Sequence, residues 1–240
     1  MKKYSNISSI KTEDKSTWSD KTFLTFDMDW AHDEVIEDTL NIINSHGVCS
    51  TWFVTHKSLL LTQMANNDNI ELGIHPNFNK ILDGSNYQNN ANSRKIIEDA
   101  LKLVGNCNSV RSHSLTQSEK LLDEFQSFGI THICNLYIPL SANIELKPFK
   151  IWDGIIIVPH YWQDNVELKL YNSKRNNFLH INNFKVLNFH PIHIYLNTEN
   201  LERYESTRQF HNSPKELIKY RFKGNGVRTK LLNILNENKQ

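Results

Sequence analysis

The chain has 240 residues, 39% of them hydrophobic, enough to bury one sizeable core. Its 27 lysines and arginines against 26 aspartates and glutamates leave a formal charge of +1, so no overall field exists to gather nucleic acid or an anionic membrane surface. Cys49, Cys107 and Cys134 are an odd set without close pairs, which argues against a disulfide framework and against a cysteine-built zinc site.

Residues 1–21 are polar and lack the apolar stretch of a signal peptide, so we expect an irregular arm followed by one domain over 22–240. No later run is long enough to cross a bilayer, which predicts a soluble, cytoplasmic protein. Phe23 to Met28 reads as a buried strand. A helix is predicted from Asp33 to Ser45, with Val35, Ile36, Leu40 and Ile43 on one face and Gly47 placed to end it. Cys49 to Val54 is a second strand, Leu59 to Ala65 a helix and Ile70 to Ile74 a third strand. The polar stretch from Asn79 to Asn92 is expected to be a loop over a site. Ser93 to Val104 is helical, and strands at Ser109 to Ser112 and Ile130 to Cys134 bracket a helix from Gln117 to Phe128. Ile151 to Val158 and Lys185 to Phe189 supply later strands. A last helix opens after Gly224-Asn225-Gly226 and runs through Leu235. A glycine-rich turn before a helix can bind phosphate, but an ordinary helix start is the expectation here. Alternation of this kind favours a parallel barrel or an open doubly wound sheet.

Chemistry concentrates at the ends of these strands. In Thr25-Phe26-Asp27-Met28-Asp29 two carboxylates stand two residues apart, so they project to the same side of an extended segment. Two like charges that close are costly unless a cation or a proton sits between them. Glu71-Leu72-Gly73-Ile74-His75-Pro76 ends a strand in a histidine, because the proline removes a ladder donor. Val110-Arg111-Ser112-His113 and Val186-Leu187-Asn188-Phe189-His190-Pro191-Ile192-His193 do the same with arginine and histidine. A lone histidine at such a place is commonly a cap or a satisfied core residue. Four coincident strand ends point instead to a shared crevice, where the loops of a parallel sheet converge.

In this order TFDMD, GIHPNFN, VRSHS and LNFHPIH resemble the motifs of polysaccharide deacetylases of the NodB-homology type, carbohydrate esterase family 4, over residues 22–195. HPNF with RSHS and FHPIH is further similar to a WbmS-like subgroup found among O-antigen and surface-polysaccharide proteins. The resemblance implies an irregular, incomplete (β/α) TIM-like barrel. It also implies a metal-dependent hydrolase removing an N-acetyl or related N-acyl group from an amino sugar in surface-polysaccharide biosynthesis; the expected cytoplasmic location points to a precursor rather than the finished polymer, with nucleotide- and lipid-linked forms both open. On the matching positions, Asp27 is the general base, Asp29 and His75 are metal ligands, Arg111 orients the base and His190 is the acid that protonates the leaving nitrogen. Zinc is the expected ion for mixed carboxylate and imidazole donors.

The chain departs from the family pattern four residues after His75, where Asn79 stands in place of a histidine. In an extended segment Arg111 and His113 share a face, so His113 is taken as the third ligand, with Asn79 as the alternative. Asn77, Trp162, Asp164 and His193 are the expected substrate contacts, Trp162 and Asp164 because PHYWQD resembles the family's aromatic and acidic motif near the leaving group. Two other readings stay open: hydrolysis of a small non-sugar amide on the same fold and metal, and a degenerate member that binds sugar or metal without turnover.

Overall fold

The computed structural model describes residues 3–84, 92–152, 154–169 and 184–237. Among them run nine strands, β1 (Thr22–Asp27), β2 (Ser50–Val54), β3 (Ile70–Ile74), β4 (Ser109–Val110), β5 (His132–Ile133), β6 (Phe149–Ile151), β7 (Ile155–Ile157), β8 (Trp162–Gln163) and β9 (Lys185–Phe189). They form one sheet in the order β6-β7-β5-β4-β3-β2-β1-β9-β8. Every pairing is parallel except β6 with β7. The helices are α1 (Asp33–His46), α2 (Leu61–Ala65), α3 (Asn79–Leu82), α4 (Ser93–Val104), α5 (Glu119–Ser127), α6 (Asp164–Lys169), α7 (Pro191–Leu196), α8 (Leu201–Ser206), α9 (Pro214–Leu217) and α10 (Val227–Asn236). The result is an incomplete (β/α) barrel, its sheet ending at β6 and β8 without closing.

Strand alternation sorts the side chains into two populations. Leu24 and Phe26 of β1, Trp52 of β2 and Phe189 of β9 face outward into the core beneath the helices. There Phe26 stacks on Trp52 at 4.4 Å between ring centroids and Trp162 of β8 packs on Phe189 at 4.7 Å. Phe23, Phe53, Ile156, Val158 and Val186 face inward and fill the barrel. Gly73 of β3 also faces in, and a Cβ there would lie 2.8 Å from the Ser109 carbonyl oxygen and 2.9 Å from Phe53. Only glycine fits that approach.

The described part of the amino-terminal arm, residues 3–21, has only two short 3-10 turns, Ile7–Ser9 and Lys15–Thr17, but it is not a bystander. Tyr4, Ile7 and Ile10 are buried, the last two within the inner cluster. Its backbone is tied to the starts of three strands: Ile7 N–H donates to Thr51 Oγ1 at 3.0 Å, Ser8 N–H to Glu71 Oε2 at 3.0 Å, and the Ile10 carbonyl lies 3.0 Å from His132 Nε2. The arm therefore closes the amino-terminal end of the barrel. Three apolar residues in a polar stretch were too sparse to announce this.

Two further segments differ from expectation. Ile151 to Val158 is not one strand but the return of the antiparallel hairpin β6–β7, which turns through Trp152 (φ 43°) and Gly154 (φ 94°). The loop expected from Asn79 to Asn92 opens with the single turn α3, and residues 85–91 lie outside those described. The glycine-rich turn before α10 is an ordinary helix start. Val227 N–H donates to the Thr198 carbonyl at 3.0 Å, Thr229 N–H to Asn197 Oδ1 at 3.1 Å, and a Cβ on Gly226 would come within 2.0 Å of the Asn197 carbonyl oxygen. Among the described residues no helix is long and apolar enough to cross a membrane.

Candidate active site

At the carboxyl ends of β1, β3, β4 and β9 the inward-facing positions change from apolar to charged. The register sets Thr25 beside Asn188, so the next inward layer holds Asp27 and His190 together. Arg111 follows β4, its N–H bonded to the Ile74 carbonyl at 3.1 Å, and its side chain runs inward with no exposure. From there Nη1 donates to Thr25 Oγ1 at 2.9 Å, to Asp27 Oδ1 at 3.0 Å and to Asn188 Oδ1 at 2.6 Å, while Nε donates to the Cys134 carbonyl at 3.2 Å. Its guanidinium lies over the Phe53 ring at 4.6 Å. Asn188 Nδ2 in turn donates to Asp27 Oδ2 at 2.8 Å, so both Asp27 oxygens are held. Burial pushes the Asp27 carboxyl up, but the Arg111 charge, helped by His75 and His190, outweighs it and leaves the group below the usual carboxylate value.

Asp29 lies just beyond the strand, where the chain takes left-handed backbone at two successive non-glycine residues, Asp29 (φ 41°) and Trp30 (φ 56°). Such backbone costs about 1–2 kcal/mol per residue. The Trp30 N–H, bonded to Thr55 Oγ1 at 3.1 Å, helps hold the turn. It brings Asp29 Oδ1 to 3.1 Å from His75 Nε2 and 3.2 Å from His113 Nδ1. Against the upward push of burial, hydrogen bonds from His113 and His75 and the charge of His190 hold the Asp29 carboxyl well below its usual value. The three residues offer ligand atoms all within 4.8 Å of one another. Donors about 2.0–2.1 Å from a tetrahedral zinc lie about 3.3 Å apart, so Asp29, His75 and His113 fit one ion with little movement. Asn79 opens α3, its N–H bonded to Asn77 Oδ1 at 2.9 Å.

His190 joins the two carboxylates. Its Nε2 lies 3.7 Å from Asp27 Oδ2 and 3.4 Å from Asp29 Oδ2. Asp164, with no exposed surface, grips the opposite side: Oδ1 lies 2.6 Å from His190 Nδ1 and Oδ2 accepts the His190 backbone N–H at 2.7 Å. Burial alone would strip the proton from this imidazole, yet Asp164, then Asp29 and Asp27, lift its pKa to about 10. A run of rings continues from it, His190 to His193 at 5.8 Å, His193 to Tyr204 at 4.9 Å and Tyr204 to His211 at 4.7 Å. His193 is buried, braced by Thr198 Oγ1 at 3.3 Å, and burial pushes its pKa down to about 4. Asp29, Trp30, His190 and His193 line a cavity of about 460 Å³.

Thus Asp27, Asp29, His75, Arg111, His113 and His190, drawn from four separate stretches of sequence, meet in one place. Three of the expected substrate contacts have partners within the chain. Asp164 turns both oxygens to His190, Oδ1 also accepting the Asn165 N–H at 2.7 Å, and its side chain is fully buried. Trp162 lies on the outward face of the sheet against Phe189, beneath the Lys230 ammonium. The Asn77 side-chain Oδ1 accepts the Asn79 N–H at the start of α3. Two participants were missed, Thr25 and Asn188, and both precede a marked residue by two positions. Strand periodicity alone would have found them.

A family model described as WbmS-like polysaccharide deacetylase matches residues 24–208. A crystal structure from Bordetella bronchiseptica, described as a polysaccharide deacetylase involved in O-antigen biosynthesis, is similar at 40% identity over 98% of each chain with a TM-score of 0.93. A polysaccharide deacetylase from Mycobacterium smegmatis is similar at 17% identity, covering 71% of this chain and 77% of that one, with a TM-score of 0.47. A carbohydrate esterase family 4 pseudoenzyme from Bacillus anthracis is similar at 14% identity over 90% of this chain and 66% of that one, with a TM-score of 0.38. No curated protein matches the chain.

Proposed function

Since this chain belongs to the WbmS-like family of polysaccharide deacetylases, we propose that it is a metal-dependent hydrolase that removes an N-acetyl or related N-acyl group from an amino sugar in surface-polysaccharide biosynthesis. The observation that carries this reading is the division of labour around His190: a carboxylate held by Arg111 and Asn188 on one side, a carboxylate held by two imidazoles on the other.

Asp29, His75 and His113 would hold the ion, zinc by the chemistry of the donors. When bound, it would lower the pKa of water and polarise the acyl carbonyl. Asp27 takes a proton from the attacking water as general base. Its carboxylate is kept ionised by Arg111, and the Asn188 amide fixes the second oxygen, leaving the lone pairs that face His190 and Asp29 available. His190 is the acid. Asp164 fixes its Nδ1, so that Nε2 carries the proton delivered to the departing nitrogen. His193, neutral and at the cavity wall, is placed to hydrogen-bond the sugar.

Acetate release from N-acetylated amino sugars by metal-loaded protein tests this reading. Asp27→Asn should lower turnover by about 10²–10⁴-fold with metal content unchanged, whereas Asp29→Ala and His75→Ala should lose the metal. Full activity of Asp27→Asn would refute the base assignment. Elemental analysis of wild type beside His113→Ala and Asn79→Ala identifies the third ligand, with loss expected in the first.

A further inference from the structure

The cavity beside the site has chemistry that acyl transfer does not use. Of about 460 Å³, it lies within the range of small-molecule sites. Its lining includes Trp30, a large apolar side chain left 47% exposed at the mouth. The indole is not adrift: it sits edge-on to His113 at 5.1 Å on the left-handed turn that also sets Asp29. Left-handed backbone at a tryptophan is unfavourable, so the turn holds the ring where simple packing would not leave it. An aromatic face beside a site for amino sugars suits the apolar side of a pyranose.

The cavity lining also includes two cations, Lys169 and Arg208, beside the rings of His193 and Tyr204. They come from different elements, Lys169 from the last position of α6, the helix whose first residue grips His190, and Arg208 from just after α8. Glu205 also lines the cavity and lies 3.4 Å from Arg208 Nη1, but both side chains are more than half exposed, so solvent weakens that pair. Lys169, Arg208 and Glu205 together bring one net positive charge to the lining, with an arginine fork whose remaining donors match phosphate oxygens.

We infer that the cavity takes an amino sugar bearing a phosphate or diphosphate group, the ring on Trp30 and the anion at Arg208 and Lys169. The inference rests on the proposed deacetylase reading for the sugar, but its anion half can be tested without turnover. Inorganic pyrophosphate is titrated by calorimetry into metal-loaded wild type, the Lys169→Ala/Arg208→Ala double variant and Arg94→Ala, a surface-arginine control on α4, with metal content checked in each. The dissociation constant should rise about tenfold in the double variant at low salt and stay level in the control. Equal affinity in wild type and double variant, or no binding by wild type, would overturn the inference.

In a second arm, acetate release is compared for N-acetylglucosamine, its 1-phosphate, its uridine diphosphate ester and its polyprenyl diphosphate ester in phosphatidylcholine vesicles. A preference for the phosphate-bearing sugars that collapses in the double variant supports the inference, and the faster of the last two identifies the carrier. Trp30→Ala should raise KM for all of them about tenfold with kcat within about twofold. Equal turnover of neutral and charged sugars by wild type would sink the inference and leave the deacetylase standing. No acetate from any of them, with the pyrophosphate difference intact, would sink the deacetylase and keep the anion site.

Discussion

Asp164 shows how one buried carboxylate can set the working range of another residue. His190 is deprived of water, which by itself favours the neutral ring, yet Asp164 and the two site carboxylates carry its pKa to about 10. Asp164→Asn removes the strongest of these lifting charges while keeping a hydrogen-bonding side chain. The folded pKa of His190 then falls, and the alkaline limb of the pH–rate profile should move to lower pH, with little change on the acid side. His160 offers the opposite case. Buried, with Nε2 3.1 Å from Gln163 Oε1, it is pushed by burial and by Arg111 down to about 3 from 6.5. The unfolded chain therefore binds the extra proton between those values, so the stability is present above pH 6.5 and is lost as pH falls toward 3. His160→Gln should flatten that loss, measured as urea midpoints by circular dichroism across the same window. At this scale the sequence was informative wherever a residue's role depends on its place along its own strand. Asp27 with Asp29 and Arg111 with His113 could be paired by counting in twos. The grip of Asp164 on His190 joins residues 26 apart through a helix start docked against a strand end, and local periodicity carries no record of that.

Among the elements, the amino-terminal arm is the one whose weight the sequence understated. Strands β1, β3 and β9, helices α1 and α4, and the last helix were legible because each carries enough apolar residues to show a period. The arm has no period, only single side chains dropped into the barrel. Ile7 and Ile10 are nonetheless among the largest fully buried side chains. Ile7→Ala should cost about 2–4 kcal/mol in denaturant unfolding, a core-sized penalty from a segment without regular structure. Because the arm contacts strand starts and the site lies at strand ends, metal content should be unaffected. Gly73→Ala should be worse tolerated than a typical strand Gly→Ala change, since its Cβ would meet backbone as well as side chains. The misread stretch from Ile151 to Val158 has a different origin: Asp153-Gly154 breaks its apolar run and is a hairpin signal in its own right, but the apolar residues on either side were read as one strand across it.

For the molecule as a whole, three of the barrel strands end in one donor set, so occupancy of that set should bear on global stability. If Asp29, His75 and His113 hold an ion, chelation should lower the melting temperature as well as abolish turnover, by an amount that grows with the logarithm of the metal concentration removed. Readdition should restore both, read by differential scanning fluorimetry beside acetate release. The sealed base of the barrel has a kinetic consequence of its own. With Ile7, Ile10 and Phe23 packed across it and Arg111 wholly buried above them, the described residues close the site from below and leave the cavity beside Trp30 as the approach to it. If the site cleaves an amide as proposed, acid and amine would leave by the approach that the next substrate uses, so the deacylated sugar should be a competitive product inhibitor, and traffic through that shared doorway, rather than bond breaking, can come to limit the steady state.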